Sequence, residues 1–314
     1  MRIAVVGAGA IGSAIAAGLA QTGRDVVLVA RGRRLAALKA GPLRIESNGS
    51  MRAISVPACA VNELGHGAID FAICCVKTNG LEHALQGVGD ALQSGAVVLT
   101  LQNGVEAHVV AARLLPDAAI VAGRMHGFFE MSGDVVRHVG VPPSILLGSP
   151  QGNGDAEQAL VAMLADSGIA VDVCADITLA LWEKFLLAAS LGSVGAALAT
   201  PAGQVLATAQ GEAMLREAMA EIVALARHRG IALDDGHIAR ALAFVASFPP
   251  DATTSLQRDL AAGRASEYDA LTAAVGRLAR DCGAAVSVFP GLEALIAARP
   301  EFRVKDLNLR PQGQ

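Results

Sequence analysis

Residues 3–31 read IAVVGAGAIGSAIAAGLAQTGRDVVLVAR, and the order of that stretch is strand, glycine turn, helix, strand. An apolar run ends in Gly7, Gly9 and Gly12, and an Ala-rich amphipathic segment follows, which is the dinucleotide fingerprint in its required context. Gly7 lets the chain turn tightly off the strand, Gly9 lets the backbone approach a pyrophosphate, and Gly12 lets the helix pack closely on the strand. Ala8, Ala10 and Ile11 complete the loop, whose N–H groups at the helix N-terminus hold phosphate charge. The alternative, a packing glycine turn, does not account for three correctly spaced glycines.

An NAD-preferring site places Asp or Glu about 20 residues past the turn, on the ribose 2′-hydroxyl. Here that place holds Ala30-Arg31, with Arg33 and Arg34 close behind. A guanidinium is a planar fork of donors suited to a 2′-phosphate. The expected cofactor is NADP(H), bound through Arg31; the plainer alternative is a solvated arginine loop.

The 314 residues, 53% of them hydrophobic and 17% charged, suffice for two domains with a large core. A net charge of −4 and no basic block beyond Arg31 to Arg34 predict no nucleic-acid partner. Five cysteines form no CxxC pair and no Cys/His ligand spacing, so they read as reduced side chains in a reducing compartment. The strand-turn-helix grammar reads the apolar start as a nucleotide-binding strand rather than a signal peptide. The uncharged stretch from Phe185 to Gly203 is rich in Ala, Gly and Ser and is broken by Pro201, which fits a buried helix better than a membrane span. The expectation is a soluble cytoplasmic protein without a membrane partner.

Up to about residue 175, short β-rich runs alternate with helical stretches: Val26 to Val29, Ser55 to Cys59, Ile69 to Val76, Val97 to Leu101, Ala119 to Ala122, Val135 to Val139, Ile145 to Leu147 and Ala170 to Cys174. This alternation predicts an α/β domain with a parallel sheet covered by helices, turning antiparallel at an edge over residues 123–150. Beyond Asp176 long helical patterns dominate, with breaks near Thr200-Pro201, Gly230, Pro249-Pro250 and Pro290-Gly291. The division predicted is 1–175, a Rossmann-type NADP-binding domain, and 176–314, an all-α domain carrying substrate and catalytic residues. The tail after Pro300 is polar and reads as loose.

Such a pairing places the substrate near the carboxyl ends of the strands. In CCVKT, Lys77 ends a buried strand and can reach cofactor phosphate or ribose, or can be merely solvated. In LTLQNG, Asn103 offers both a donor and an acceptor, although Asn-Gly is also a common turn. In LWEKFLL, Lys184 lies within an apolar helical stretch. A cation there is costly unless paired, snorkelling or employed. Its employment can be protonation of a carbonyl oxygen, since ketone reduction leaves an alkoxide needing a positively charged donor. Glu183, on another helix face, reads as surface charge, and His126, just past a strand, as a loop histidine. No His/Asp/Glu cluster has metal spacing, so no metal is expected, and no G-x-S-x-G elbow is present.

The segments GAGAIG, CVKT, LQNG, LWEKF and SLQRDLAAGRASEYDAL resemble, in order and approximate spacing, those of ketopantoate (2-dehydropantoate) reductases over nearly the whole chain. The resemblance implies NADPH-dependent reduction of a 2-oxo acid to a 2-hydroxy acid, 2-dehydropantoate to pantoate, in pantothenate biosynthesis. It makes Lys184 the general acid, Glu267 a residue touching cofactor ribose and active site, and Ser255 a substrate contact. Lys77 and Asn103 match the family's strand-end lysine and asparagine, Asn103 serving both cofactor and substrate.

Departures accompany it. The family usually carries asparagines four and eight residues after the lysine and another downstream; here these are Ala188, Gly192 and Ala202. Helical spacing puts Lys184, Ala188 and Gly192 on one face, so a site built to bond the 4-hydroxyl lacks its amides. Either Ser190, Ser193 or a shifted helix substitutes, or the substrate is a bulkier or more apolar 2-oxo acid. A rival class is a non-catalytic NADP(H)-binding sensor. A 3-hydroxy acid or sugar acid dehydrogenase is opposed by the SLQRDLAAGRASEYDAL segment. The Ala-rich helical half suits a homodimer.

Overall fold

A computed structural model describes residues 1–300 and 302; the loose tail expected after Pro300 lies, Phe302 apart, outside the described residues. The chain forms two compact units, Met1–Gln102 with Glu106–Ala180, and Asn103–Val105 with residues 181 onward.

The strands of the first unit are β1 (Arg2–Val6), β2 (Asp25–Val29), β3 (Leu43–Ser47), β4 (Ser50–Ile54), β5 (Ala58–Cys59), β6 (Ile69–Cys74), β7 (Leu92–Thr100), β8 (Ala119–Ser132), β9 (Val135–Gly148) and β10 (Ala170–Val173). Its helices are α1 (Ala10–Gln21), α2 (Gly32–Ala40), α3 (Leu81–Gly89), α4 (Ala107–Leu114) and α5 (Gly154–Leu164). The sheet order is β4-β3-β9-β8-β7-β6-β1-β2-β5, with β10 beside β9. Pairing is parallel from β8 through β5, as the alternation predicts. Strands buried on both faces divide their side chains between two cores. Ile3, Val5 and Leu28 join α1 and α5 on one side, while Ala4, Val6 and Val27 join α3 and α4 on the other. The order reverses at β1, which has β2 on one flank and β6 on the other. Open α/β sheets bind ligands at such a switch point.

In this unit two details differ from what the sequence predicts. Residues 43–54 form a β3–β4 hairpin that the reading lacked, closed by Asn48-Gly49 with φ of 51° and 73°. Asn-Gly between strands is the signature of this turn. Residues 122–148 are antiparallel as expected, but they lie inside the sheet: β9 pairs β8 on one side, and β3 and then β10 on the other. The gap between those last two pairings contains Pro142-Pro143, which have no N–H to donate.

The second unit is helical. After α6 (Ile177–Leu198), which enters it at Leu181, come α7 (Ala209–His228), α8 (Asp235–Ala246), α9 (Ser255–Ala261), α10 (Tyr268–Leu271), α11 (Ala273–Cys282) and α12 (Val288–Ala297). By length and composition α6 could cross a membrane, but 67% of its apolar window is buried in the protein, as in the core helix of a soluble protein. The break expected at Pro290-Gly291 is instead inside α12. Proline is tolerated in a first turn, whose N–H groups lack helical partners. Three of the N–H groups there, those of Ser287, Val288 and Phe289, donate to the Glu221 carboxylate at 2.5–2.9 Å.

Candidate functional site

On the first unit the glycine turn follows β1 directly. Gly7 has φ of +113°, a conformation that glycine adopts without strain. A Cβ on it would lie 2.7 Å from the Val76 amide nitrogen, and one on Gly12 would lie 2.0 Å from the Gly7 carbonyl oxygen. Helix, turn and the loop after β6 are therefore in backbone contact. Over Gly9, the N-cap of α1, a Cβ would meet nothing within 4 Å. No side chain caps this helix and its first turn has no acid, so its N–H groups and positive end face open space. That cradle fits a pyrophosphate, with Gly7, Ala8, Gly9, Ala10, Ile11 and Gly12 around it.

Arg31 is the exposed N-cap of α2, two residues past β2, and Arg33 is exposed as well. Arg34 is committed elsewhere. Its Nε donates to the Ala8 carbonyl at 3.2 Å, and its terminal nitrogens to Ser13 Oγ at 3.2 Å and Asp134 at 3.3–3.4 Å. The arginine cluster expected for a 2′-phosphate therefore reduces to Arg31 and Arg33, and Arg34 braces the glycine turn against the tip of the β8–β9 hairpin.

Lys77 is exposed at the carboxyl end of β6, where it caps a short 3-10 turn, Thr78–Gly80. Beside it lies a residue to which the sequence reading assigned no role. Gln102 is 6% exposed, and its amide nitrogen donates to the carbonyls of Cys74 at 2.9 Å and Val76 at 3.0 Å. A polar side chain ending an apolar strand was the signal available for it. His126, expected in a loop, is exposed on β8 opposite Ser144.

In the second unit, Asn103 Nδ2 donates to Glu267 Oε2 at 2.6 Å. Glu267 is half-buried at the N-terminal end of α10, its carbonyl accepting from Ala270 and Leu271. Ser255 is the exposed first residue of α9. Its place is set by a capping box in which Thr254 and Gln257 bond each other's backbone N–H groups at 3.0–3.2 Å. Lys184 is half-buried on α6. Buried Trp182 and Phe185, in edge contact at 5.6 Å between ring centroids, anchor the neighbouring faces of that turn. Glu183 is more than surface charge: it meets His237 at 3.2 Å and Arg240 at 3.9 Å, tying α6 to α8.

The model of the family described as ketopantoate reductase PanE/ApbA matches residues 3–152, and the model of its C-terminal part matches residues 176–299. The chain belongs to the ketopantoate reductase family. It is 30% identical to the 2-dehydropantoate 2-reductase of Halobacterium salinarum over 94% of this chain and 98% of that one. A PanE/ApbA family ketopantoate reductase structure from Ralstonia eutropha JMP134 is also 30% identical, with a TM-score of 0.84, covering 95% of this chain and 97% of that one. D-mandelate dehydrogenase in ternary complex with NADH and anilino(oxo)acetate shares the fold, with a TM-score of 0.86 at 24% identity over 95% of this chain and 98% of that one. Ketopantoate reductases use NADPH, and the open glycine cradle with Arg31 at the end of β2 fits that cofactor.

At Gly192, one of the three departures, the surroundings are tight. A Cβ on Gly192 would already lie 3.2 Å from Leu256 Cδ2, and one on Gly195 would lie 2.7 Å from Gln257 Nε2. A side chain at 192 would therefore press on the start of α9, and Leu256 would have to give way slightly. Ser190 and Ser193 do not replace the amides. Both are fully buried on other faces of α6, and Ser193 Oγ is hydrogen-bonded to Thr272 Oγ1 at 2.8 Å. Ala202 is fully buried too, and Gly203 beside it donates to the Ala252 carbonyl at 3.2 Å.

Proposed function

We propose that this chain reduces the ketone of a 2-oxo acid with NADPH, taking 2-dehydropantoate to pantoate, in the manner named for its 30%-identical relatives. The Asn103–Glu267 hydrogen bond carries the reading, because it joins, in one unit with Lys184, two motifs that have no common purpose unless they build one site. Bound NADPH supplies the hydride. Lys184 donates the proton that the carbonyl oxygen takes up as the carbon is reduced, so that C=O becomes CH–OH without free alkoxide. Its charge also attracts the substrate carboxylate, which the Ser255 hydroxyl hydrogen-bonds. Glu267 accepts from Asn103, which holds the amide so that its oxygen is presented to ligand, and Arg31 and Lys77 neutralise cofactor phosphate. A cytoplasmic homodimer acting on a small molecule, without nucleic acid or membrane, completes the proposal.

NADPH oxidation in the presence of 2-dehydropantoate tests it. Lys184→Ala is expected to lose about 100- to 10,000-fold in kcat, the usual worth of a positioned proton donor, with NADPH affinity retained. Undiminished turnover in that variant overturns the role of Lys184. NADPH binding without turnover of any 2-oxo acid by the unaltered protein establishes a sensor instead.

A further inference from the structure

Gln102 ends the first unit's β7 region, and the next three residues belong to the second unit. Its carboxamide is buried and lopsided: Nε2 donates twice, to the carbonyls of Cys74 and Val76, while Oε1 is buried with no hydrogen-bond partner. An unmet buried acceptor costs stability that an apolar side chain of similar volume would not incur. What that apolar side chain would lack is the pair of donors.

Both donors act on the segment that leaves β6. The Val76 carbonyl belongs to the peptide group whose nitrogen is that of Lys77, so a hydrogen bond on it orients the peptide from which Lys77 departs. The same Val76, with Cys75, is the backbone against which Gly7 packs. The Lys77 carbonyl in turn accepts from Gly80 at 2.9 Å and closes the short turn beyond. One amide thus grips the loop that carries Lys77 and forms the wall behind the glycine turn.

We infer that Gln102 is a positioning residue of the cofactor site, acting through the Cys74 and Val76 carbonyls to fix Lys77 and to hold Val76 against Gly7. The inference rests on the reading of Lys77 as a cofactor ligand. Preorganised contacts lose their value when their supports loosen by fractions of an ångström, so the effect falls on NADPH affinity rather than on proton donation by Lys184.

The test is equilibrium titration of NADPH by fluorescence, with kcat alongside, for Gln102→Met, Lys77→Ala and the double variant. Gln102→Met keeps length and packing and removes both donors. It is expected to raise the Kd for NADPH about tenfold, the worth of a lost hydrogen bond, with kcat at saturating NADPH changed less than about twofold. The double variant is expected to bind less weakly than the product of the two single effects, since the part of the Gln102 effect that acts through Lys77 is already lost in Lys77→Ala. A raised Kd in Lys77→Ala beside an unchanged Kd in Gln102→Met overturns the inference alone, as does full additivity. An unchanged Kd in Lys77→Ala overturns it together with the reading of Lys77. Should Gln102→Met not fold, Gln102→Leu, which likewise removes both donors and buries no charge, is read by the same criteria.

Discussion

Asn103 and Glu267 stand 164 positions apart and are joined by a 2.6 Å hydrogen bond from amide nitrogen to carboxylate oxygen. The bond makes a loop from the sheet's sequence neighbourhood part of the helical unit. Gly104 continues the contact: its φ is +93°, and a Cβ there would lie 3.0 Å from the Ala270 carbonyl oxygen. Removing either partner leaves the other half-buried and unmet. Asn103→Ala and Glu267→Ala are each expected to lower kcat/KM about 10- to 100-fold, the range for hydrogen bonds to charged groups. The double variant should fall short of the product of the two effects. Steady-state kinetics of the four proteins decides it, and independent effects would mean that the two side chains do not work as a pair.

Arg31 and Arg34 are close in sequence and separate in task. Arg31→Ala is expected to weaken NADPH binding about 10- to 100-fold while leaving NADH nearly unchanged, because only NADPH carries a 2′-phosphate for a charge-assisted bond. Arg34→Ala loosens the Ala8 carbonyl and Ser13, so it should weaken both cofactors alike. Measuring KM for NADPH and NADH in the two variants separates these roles.

The face of α6 that carries Lys184 presents Ala188 and Gly192, and Leu256 lies close to Gly192. A site built to bond a substrate hydroxyl rejects the analogue lacking it by about 10,000-fold or more, whereas an apolar wall discriminates by about 100-fold at most. The expected outcome is that 3,3-dimethyl-2-oxobutanoate, which is 2-dehydropantoate without its 4-hydroxyl, is reduced with a kcat/KM within about 100-fold of the parent's. A preference of 10,000-fold for 2-dehydropantoate would require a hydroxyl-binding group supplied by another element.

Burial pushes the Cys74 thiol up from its ordinary 9.0 to about 12, and burial followed by the neighbouring Cys74 raises that of Cys75. A group whose pKa is raised on folding contributes stability that is full below the unfolded value and lost as pH rises through the folded one. For Cys74 that window runs from about 9 to about 12. At pH 8 the folded protein should resist alkylation by iodoacetamide at Cys74, and peptide mapping after unfolding should show it labelled. Rapid labelling of Cys74 in the folded enzyme would contradict its burial.

Much of this protein was legible in local sequence. The glycine turn, the basic residue after β2 and the alternation of elements each depend on neighbours within one supersecondary unit, so residues 3–31 announce both the sheet and its cofactor. The Asn48-Gly49 hairpin is equally local but faint in the sequence, because its strands, LRIES and SMRAI, are half polar and carry little periodic signal. Pro290 misled for a positional reason: a proline breaks a helix interior but sits readily in a first turn.

By itself, then, the sequence determined the class of fold, the glycine turn and the family, because these rest on short-range spacing and on motif order. Only the tertiary structure decided which polar groups meet. It committed Arg34 to the Ala8 carbonyl and Ser13, gave Gln102 two backbone carbonyls to hold, buried Ser190 and Ser193, and set Leu256 against Gly192. Hydrogen bonds and close packing act over a few ångströms, and which residues come that close is a property of the folded chain, not of their separation along it.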